Sequence, residues 1–247
     1  MSSKSELTHI EIEGHQVPVK IYREWRRSIR YSIGKTAVHL RLPTLLTQSQ
    51  CRDQVAALRR WTIGEFARRP DLKQRFIRPM FEDGDRLQVG DRSYRLRIGF
   101  FDRSTHAAKL REGEIELRLS QAETNRHKLA KAVRHLLSRV VAQDFHPEIT
   151  ARVHQLNRQH FRQPVEGVQL KYNVTNWGSC SAKRNINLST RLLFAPPKVI
   201  DYVIIHELAH LVEMNHSRRF WDLVAAAMPD YEEQEKWLKK FGHRCDF

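Results

Sequence analysis

A chain of 247 residues, 40% apolar and 29% charged, is long enough for one large domain or two small ones with a real apolar core. The longest apolar run, Val199 to Val212, is broken by Asp201, His206, Glu207 and His210, so nothing approaches the ~20 residues a membrane helix needs. The opening residues stay polar without a secretory pattern, and the three scattered cysteines, Cys51, Cys180 and Cys245, form neither a disulfide framework nor a CxxC zinc motif; a reducing cytoplasm is the expected location.

Residues 1–122 hold 24 Lys+Arg against 15 Asp+Glu, and residues 123–247 hold 19 against 13. The formal net charge of +15 therefore belongs to the whole surface and not to a tail. Such a field attracts polyanions, chiefly nucleic acid, and it also serves solubility.

In chain order, Leu7–Ile12 and Val17–Tyr22 alternate as strands around a turn at Gly14-His15. Ile29–Ile33 and Ala37–Leu42 flank Gly34-Lys35, a hairpin signal, and Pro43 closes the unit. Thr47 is a plausible cap for a helix to about Arg69, with Val55, Leu58, Ile63 and Phe66 near helical spacing. Short strands return at Leu87–Val89, Tyr94–Ile98, Ala107–Leu110 and Ile115–Leu119. A long helix follows, its stripe formed by Leu129, Val133, Leu136, Leu137, Val140 and Val141, with Pro147 expected to interrupt it before a resumption to about His160. Val168–Val174 and Asn185–Ser189 read as strands. Pro196-Pro197 opens a helix ending near Val212, Ser217 caps another stretch stopped by Pro229, and a short last helix covers Trp237 to Phe241. The division expected is a basic, β-rich region with one helix over 1–122 and a second domain over 123–247.

The chemistry lies in His206-Glu207-Leu208-Ala209-His210. Residues four apart stack on one helix face, so both imidazoles can reach one ion, and Glu207 projects from the adjacent edge. Catalytic zinc sites usually take three protein ligands and a water. His216 is the candidate third ligand, but on a continuing helix it would face away. The helix must break between them, and Glu213-Met214-Asn215 followed by Ser217 is a credible break. In this reading one zinc ion lowers the pKa of its water, and Glu207 moves the proton during peptide-bond hydrolysis. Tyr202, Tyr231 and His243 are candidate oxyanion donors, although packing roles suit each better.

Asn176-Trp-Gly-Ser-Cys-Ser181, Asn185-Ile-Asn-Leu-Ser189, Pro196-Pro197, Ile200-Asp201-Tyr202, the HExxH, Asn215-His-Ser217 and Phe220-Trp221 together resemble the YgjP-like metallopeptidase family, relatives of the SprT-like and WLM zinc proteases. The resemblance implies an α+β protein with a minimal zincin-like domain, a small antiparallel sheet beside the active-site helix, and Trp177–Ser181 near the cleft. It implies protein or peptide substrates, and through the SprT-like and WLM relatives proteins bound to nucleic acid. Glu213 stands where metzincins have Gly, which sets the chain apart from them. Two other readings stay open. One is a three-histidine metal-dependent nucleic-acid hydrolase, which would lack Glu at the second position. The other is a basic nucleic-acid-binding module with structural zinc, which would need a fourth ligand such as Cys180.

Overall fold

The computed structural model describes residues 5–13, 15–34, 36–73, 76, 77 and 80–247. It is an α+β protein that divides into two compact units, residues 1–80 and 81–247. Among the described residues no helix is long and apolar enough to cross a membrane.

The first unit is a four-stranded sheet with one helix on one face. Strands β1 (Ser5–Ile12), β2 (His15–Glu24), β3 (Arg30–Ile33) and β4 (Val38–Pro43) take the order β1-β2-β4-β3, with β2 and β4 parallel and the other pairs antiparallel. The expected turn positions Gly14 and Lys35 lie outside the described residues. Helix α1 (Gln48–Arg68) begins at a capping box: Thr47 accepts from the Gln50 amide, and the Gln50 side chain accepts from the Thr47 amide. A single turn, α2 (Pro70–Lys73), follows. Period-two alternation sends Ile10, Ile12, Val17, Val19, Val38, Leu40 and Leu42 to one face, where Leu58 and Phe66 of α1 cover them.

The second unit begins with β5 (Arg86–Val89), β6 (Arg92–Phe101), β7 (Ala107–Arg111) and β8 (Glu114–Ser120), in the order β5-β6-β8-β7. These strands pack on helix α3 (Arg126–Leu156). Arg92 reaches the Asp144 carboxylate at 2.9 Å and Glu148 at 2.7 Å and lies over the Phe145 ring at 4.0 Å, while the Tyr94 hydroxyl donates to Asp144 at 2.5 Å. This anchoring explains why the units part at Met80, whereas the sequence reading set the division after residue 122. Helix α3 also runs unbroken through Pro147, contrary to expectation. Proline removes the amide that would bond the Gln143 carbonyl, but both residues face solvent, so water can serve that carbonyl. A π-helical turn, Asn157–Phe161, ends the rod, and Arg162 takes a left-handed conformation.

The third sheet holds β9 (Gly167–Lys171), β10 (Gly178–Cys180) and β11 (Asn185–Ser189) in the order β10-β11-β9. It is mixed and not antiparallel throughout: β10 and β11 form an antiparallel pair, but β9 lies parallel to β11. The segment between β9 and β11 contains β10, which is long enough to carry the chain back to the same end. Helix α4 (Pro197–Ala209) follows, then α5 (Arg218–Ala227) and α6 (Tyr231–Phe241). Helix α4 is docked to α3 by a two-pronged ion pair from Arg152 to Asp201, at 2.7 and 2.5 Å.

Candidate metal centre

Helix α4 is exposed at Pro197 and Lys198 and mostly buried from Tyr202 onward. Val203, Ile204, Ile205, Leu208 and Ala209 fill the core, while His206 and His210 are half-exposed. Regular helix stops at Ala209. The chain then makes tight turns, with Val212 and Glu213 both donating to the Ala209 carbonyl. This bend returns His216 toward the helix, as the spacing argument required. Ser217 then caps α5 by accepting from the Phe220 amide at 3.3 Å.

His206, His210 and His216 each offer a ring nitrogen, and all three lie within 4.8 Å of one another. The Nε2 atoms of His206 and His216 are 3.1 Å apart. Phe220, fully buried, touches all three rings, with centroid separations of 4.9, 4.5 and 4.8 Å. Trp221 approaches His206 and His216, and Tyr231 stacks on Trp221 at 5.5 Å. The imidazoles thus stand against an apolar aromatic wall. Phe220 and Trp221 are legible in the sequence as an amphipathic helix face, but their role as backing for the histidines is visible only in three dimensions.

The electrostatics suit a cation. Burial pushes His206 down to about 4, with help from His210 and His216, so its ring is neutral and its lone pair available. Burial also lowers His210, partly offset by its contacts with the Glu213 and Met214 carbonyls. The His210 Nδ1–H donates to the Glu213 carbonyl at 3.2 Å, which leaves Nε2 for the cluster. The Nδ1 of His206 is buried without a hydrogen-bond partner among the described residues. Three imidazole nitrogens within reach of one point, against an aromatic wall, are a donor set that fits a divalent ion of the zinc type, so these side chains could hold a metal.

Glu207 is only 5% exposed. Burial raises its carboxyl to about 8, against the opposing pull of a hydrogen bond from the Cys180 amide. Strand β10 passes so close that a Cβ on Gly178 would sit 2.6 Å from Glu207 Oε1. The Trp177–Ser181 segment therefore lines the carboxylate, and glycine at 178 is what permits the approach. Cys180 itself is a poor thiolate: burial, then the Glu207 charge, pushes it up to about 11. It is not among the grouped ring nitrogens.

The other sequence candidates divide. Tyr202 lies edge-on to His206 at 6.1 Å and stacks with Tyr231 at 6.4 Å, and burial raises its hydroxyl pKa. Both tyrosines belong to the aromatic packing around the site. His243 lies in a 3₁₀ turn, Gly242–Arg244, after α6. A feature the sequence reading missed is Arg191. It is buried, stacks over Trp177 at 4.8 Å, and donates to the carbonyls of Val174, Gly242 and Cys245. It ties the segment leading into β10 to the chain's end.

A curated Escherichia coli K12 protein named UTP pyrophosphatase is 29% identical over 79 residues, a stretch covering 32% of this chain and 47% of that protein, so the match spans about half of the relative's length. The solved metallopeptidase zymogens abylysin from Pyrococcus abyssi and jannalysin from Methanocaldococcus jannaschii align over 37% of this chain and 93% and 94% of theirs, at 23% and 18% identity and a TM-score of 0.34 each. The family model described as YgjP-like, metallopeptidase domain, matches residues 27–241. With nearly the whole chain inside that match, the protein belongs to the YgjP-like metallopeptidase-domain family.

Proposed function

We propose that the chain is a zinc-dependent peptidase in which His206, His210 and His216 hold one zinc ion and Glu207 is the general base. The observation that carries this reading is three mutually close imidazole nitrogens beside a buried carboxylate of raised pKa. Bound there, zinc would supply Lewis acidity and bring a water's pKa from 15.7 toward about 7. Glu207, in its ionised form, takes the proton of the attacking water, and its raised pKa makes that carboxylate a stronger base. The same carboxyl then hands that proton to the leaving amine. The Cys180 amide and Gly178 hold the carboxylate in place, and Phe220 and Trp221 exclude water behind the histidines. The net charge of +15 favours protein substrates associated with a polyanion such as nucleic acid.

A second reading rests on the curated relative named UTP pyrophosphatase. The same constellation could direct a water to the phosphorus of a nucleoside triphosphate, with a phosphate oxyanion leaving in place of an amine. One experiment separates the two. Purified zinc-loaded protein is given a mixed peptide library, UTP and RNA in parallel, as wild type and as Glu207→Gln. The peptidase reading expects peptide cleavage that falls by about 10²–10⁴ in the variant with zinc content unchanged. UTP turnover without peptide cleavage would replace it by the second reading, and full RNA cleavage by the variant would remove both.

A further inference from the structure

The first unit contains a surface that the histidine site does not use. Between Lys20 and Arg41 the sequence has seven Lys or Arg and a single carboxylate, Glu24. Glu24 is already engaged by Arg41 and by Arg26. The strand register sorts the remaining groups. On the sheet face opposite α1, one row across the strands reads Tyr22, Arg41, Arg30, and the next reads Lys20, His39, Ser32. Tyr22 and His39 stack with centroids 5.6 Å apart and planes 14° apart. The Arg41 guanidinium lies 4.6 Å from the Tyr22 centroid. These three planes form a continuous π and guanidinium shelf flanked by cations. Burial, then Arg41 and Lys20, lower the pKa of His39, so its ring stays neutral, as stacking prefers.

One residue beyond β2 stands Trp25, 87% exposed. A Trp this exposed offers a whole indole face, with its large apolar area, to a partner. Arg27 and Arg30 are exposed beside it in sequence, and the side chains of Lys20, Arg27 and Arg30 have no hydrogen bond or ion pair among the described residues. Aromatic faces on the sheet and in the segment after it, with the exposed cations Arg27 and Arg30 nearby in sequence, match single-stranded nucleic acid, whose bases present π-faces and whose phosphates present charge. A duplex keeps its bases stacked inside and would use only the cations. An acidic protein would leave the indole without a partner.

We propose that this sheet face and Trp25 bind single-stranded nucleic acid, with bases stacked on Trp25 and on the Tyr22–His39–Arg41 shelf and phosphates held by Lys20, Arg27 and Arg30. The proposal does not depend on which reaction the histidine cluster performs.

The test is fluorescence anisotropy of the full chain with labelled twelve-nucleotide oligo-dT and oligo-U, a duplex of equal length, and polyglutamate. Either oligonucleotide should bind more tightly than the duplex and polyglutamate, and the better of the two identifies the sugar. Trp25→Ala should weaken binding about tenfold and Trp25→Phe should restore most of it. Replacing Arg27 and Arg30 by Gln should lower the slope of log affinity against log salt by about 1.4. Because Trp25 is exposed, an unchanged circular dichroism spectrum will show that its loss leaves the fold intact. Equal binding of the duplex or of polyglutamate, no binding of either oligonucleotide, or a Trp25→Ala variant within twofold of wild type overturns the proposal.

Discussion

Glu207 is held by its neighbours as tightly as by its own helix. Gly178 leaves room for the carboxylate, and any side chain there collides with it: an added Cβ would lie 2.6 Å from Oε1, 2.7 Å from Cγ and 2.9 Å from Cδ. Gly178 has no positive φ, so alanine brings no backbone strain and the collision is the whole effect. Gly178→Ala should therefore leave zinc content unchanged and reduce hydrolysis about a hundredfold, since displacing a reacting group by about 1 Å costs that much. Metal analysis and turnover on the same sample check both halves.

The ionisable groups predict an unusual pH response of the metal-free protein. The His206 pKa falls from 6.5 to about 4, so the unfolded chain binds more protons between those values and stability is lost as pH drops through that window. The Glu207 pKa rises from 4.5 to about 8, so the folded chain keeps a proton that the unfolded chain has released, and stability is lost as pH climbs through that range. The two slopes oppose each other below 6.5. Above it Glu207 acts alone. Chelator-treated protein should lose up to about 2 kcal/mol of stability between pH 6.5 and 8 in urea titrations, and Glu207→Gln should flatten that slope. At this scale the three histidines are legible because i, i+4 geometry is local, and a required helix break has its own sequence signals. Gly178 and Arg191 are not, because each acts on a segment distant in sequence: Arg191 reaches Cys245 and Gly242, and Gly178 meets Glu207.

At the scale of elements, local signals placed most of the structure. Thr47 caps α1, Ser217 caps α5, and the alternating runs became strands with ends shifted by a few residues. What escaped were features decided by packing. Parallel pairing of β9 with β11 leaves no mark in either strand, and three-residue β10 is too short to show a period. Helix α6 begins at Tyr231, six residues before the expected start, with Glu232 and Glu233 favouring its N-terminus. The cap of α5 has a functional consequence, because Ser217 adjoins His216 and fixes where the bend ends. Ser217→Ala should cost about 1 kcal/mol of stability. If the cap also orders His216, zinc affinity should fall severalfold more than in a control cap variant, Thr47→Ala in α1. Competition with a chelating dye measures the difference.

Over the whole molecule, the boundary at Met80 assigns the entire site to one unit. Every histidine of the cluster, Glu207, β10 and the aromatic wall lie between residues 81 and 247, and that unit has its own core along α3 and α4. The first unit has a separate core of Ile10, Val19, Leu40, Leu58 and Phe66 and none of the clustered histidines. The sequence reading set the division after residue 122 because β5 to β8 read as a continuation of the strand-rich start, whereas Arg92 and Tyr94 join them to Asp144 and Glu148 of α3. A ligand that binds only the native form raises stability by RT ln(1 + [L]/Kd), which is about 2.7 kcal/mol at a hundredfold excess over Kd. That gain can reach only the unit that contains the site. Differential scanning calorimetry should resolve two transitions, and zinc should raise one by several degrees while the other stays in place. Removing His216 by His216→Ala should abolish the zinc-dependent shift without moving the second transition. A single transition moving as a whole with zinc would mean that the two units unfold as one cooperative body, and a shift that survives His216→Ala would place the metal elsewhere.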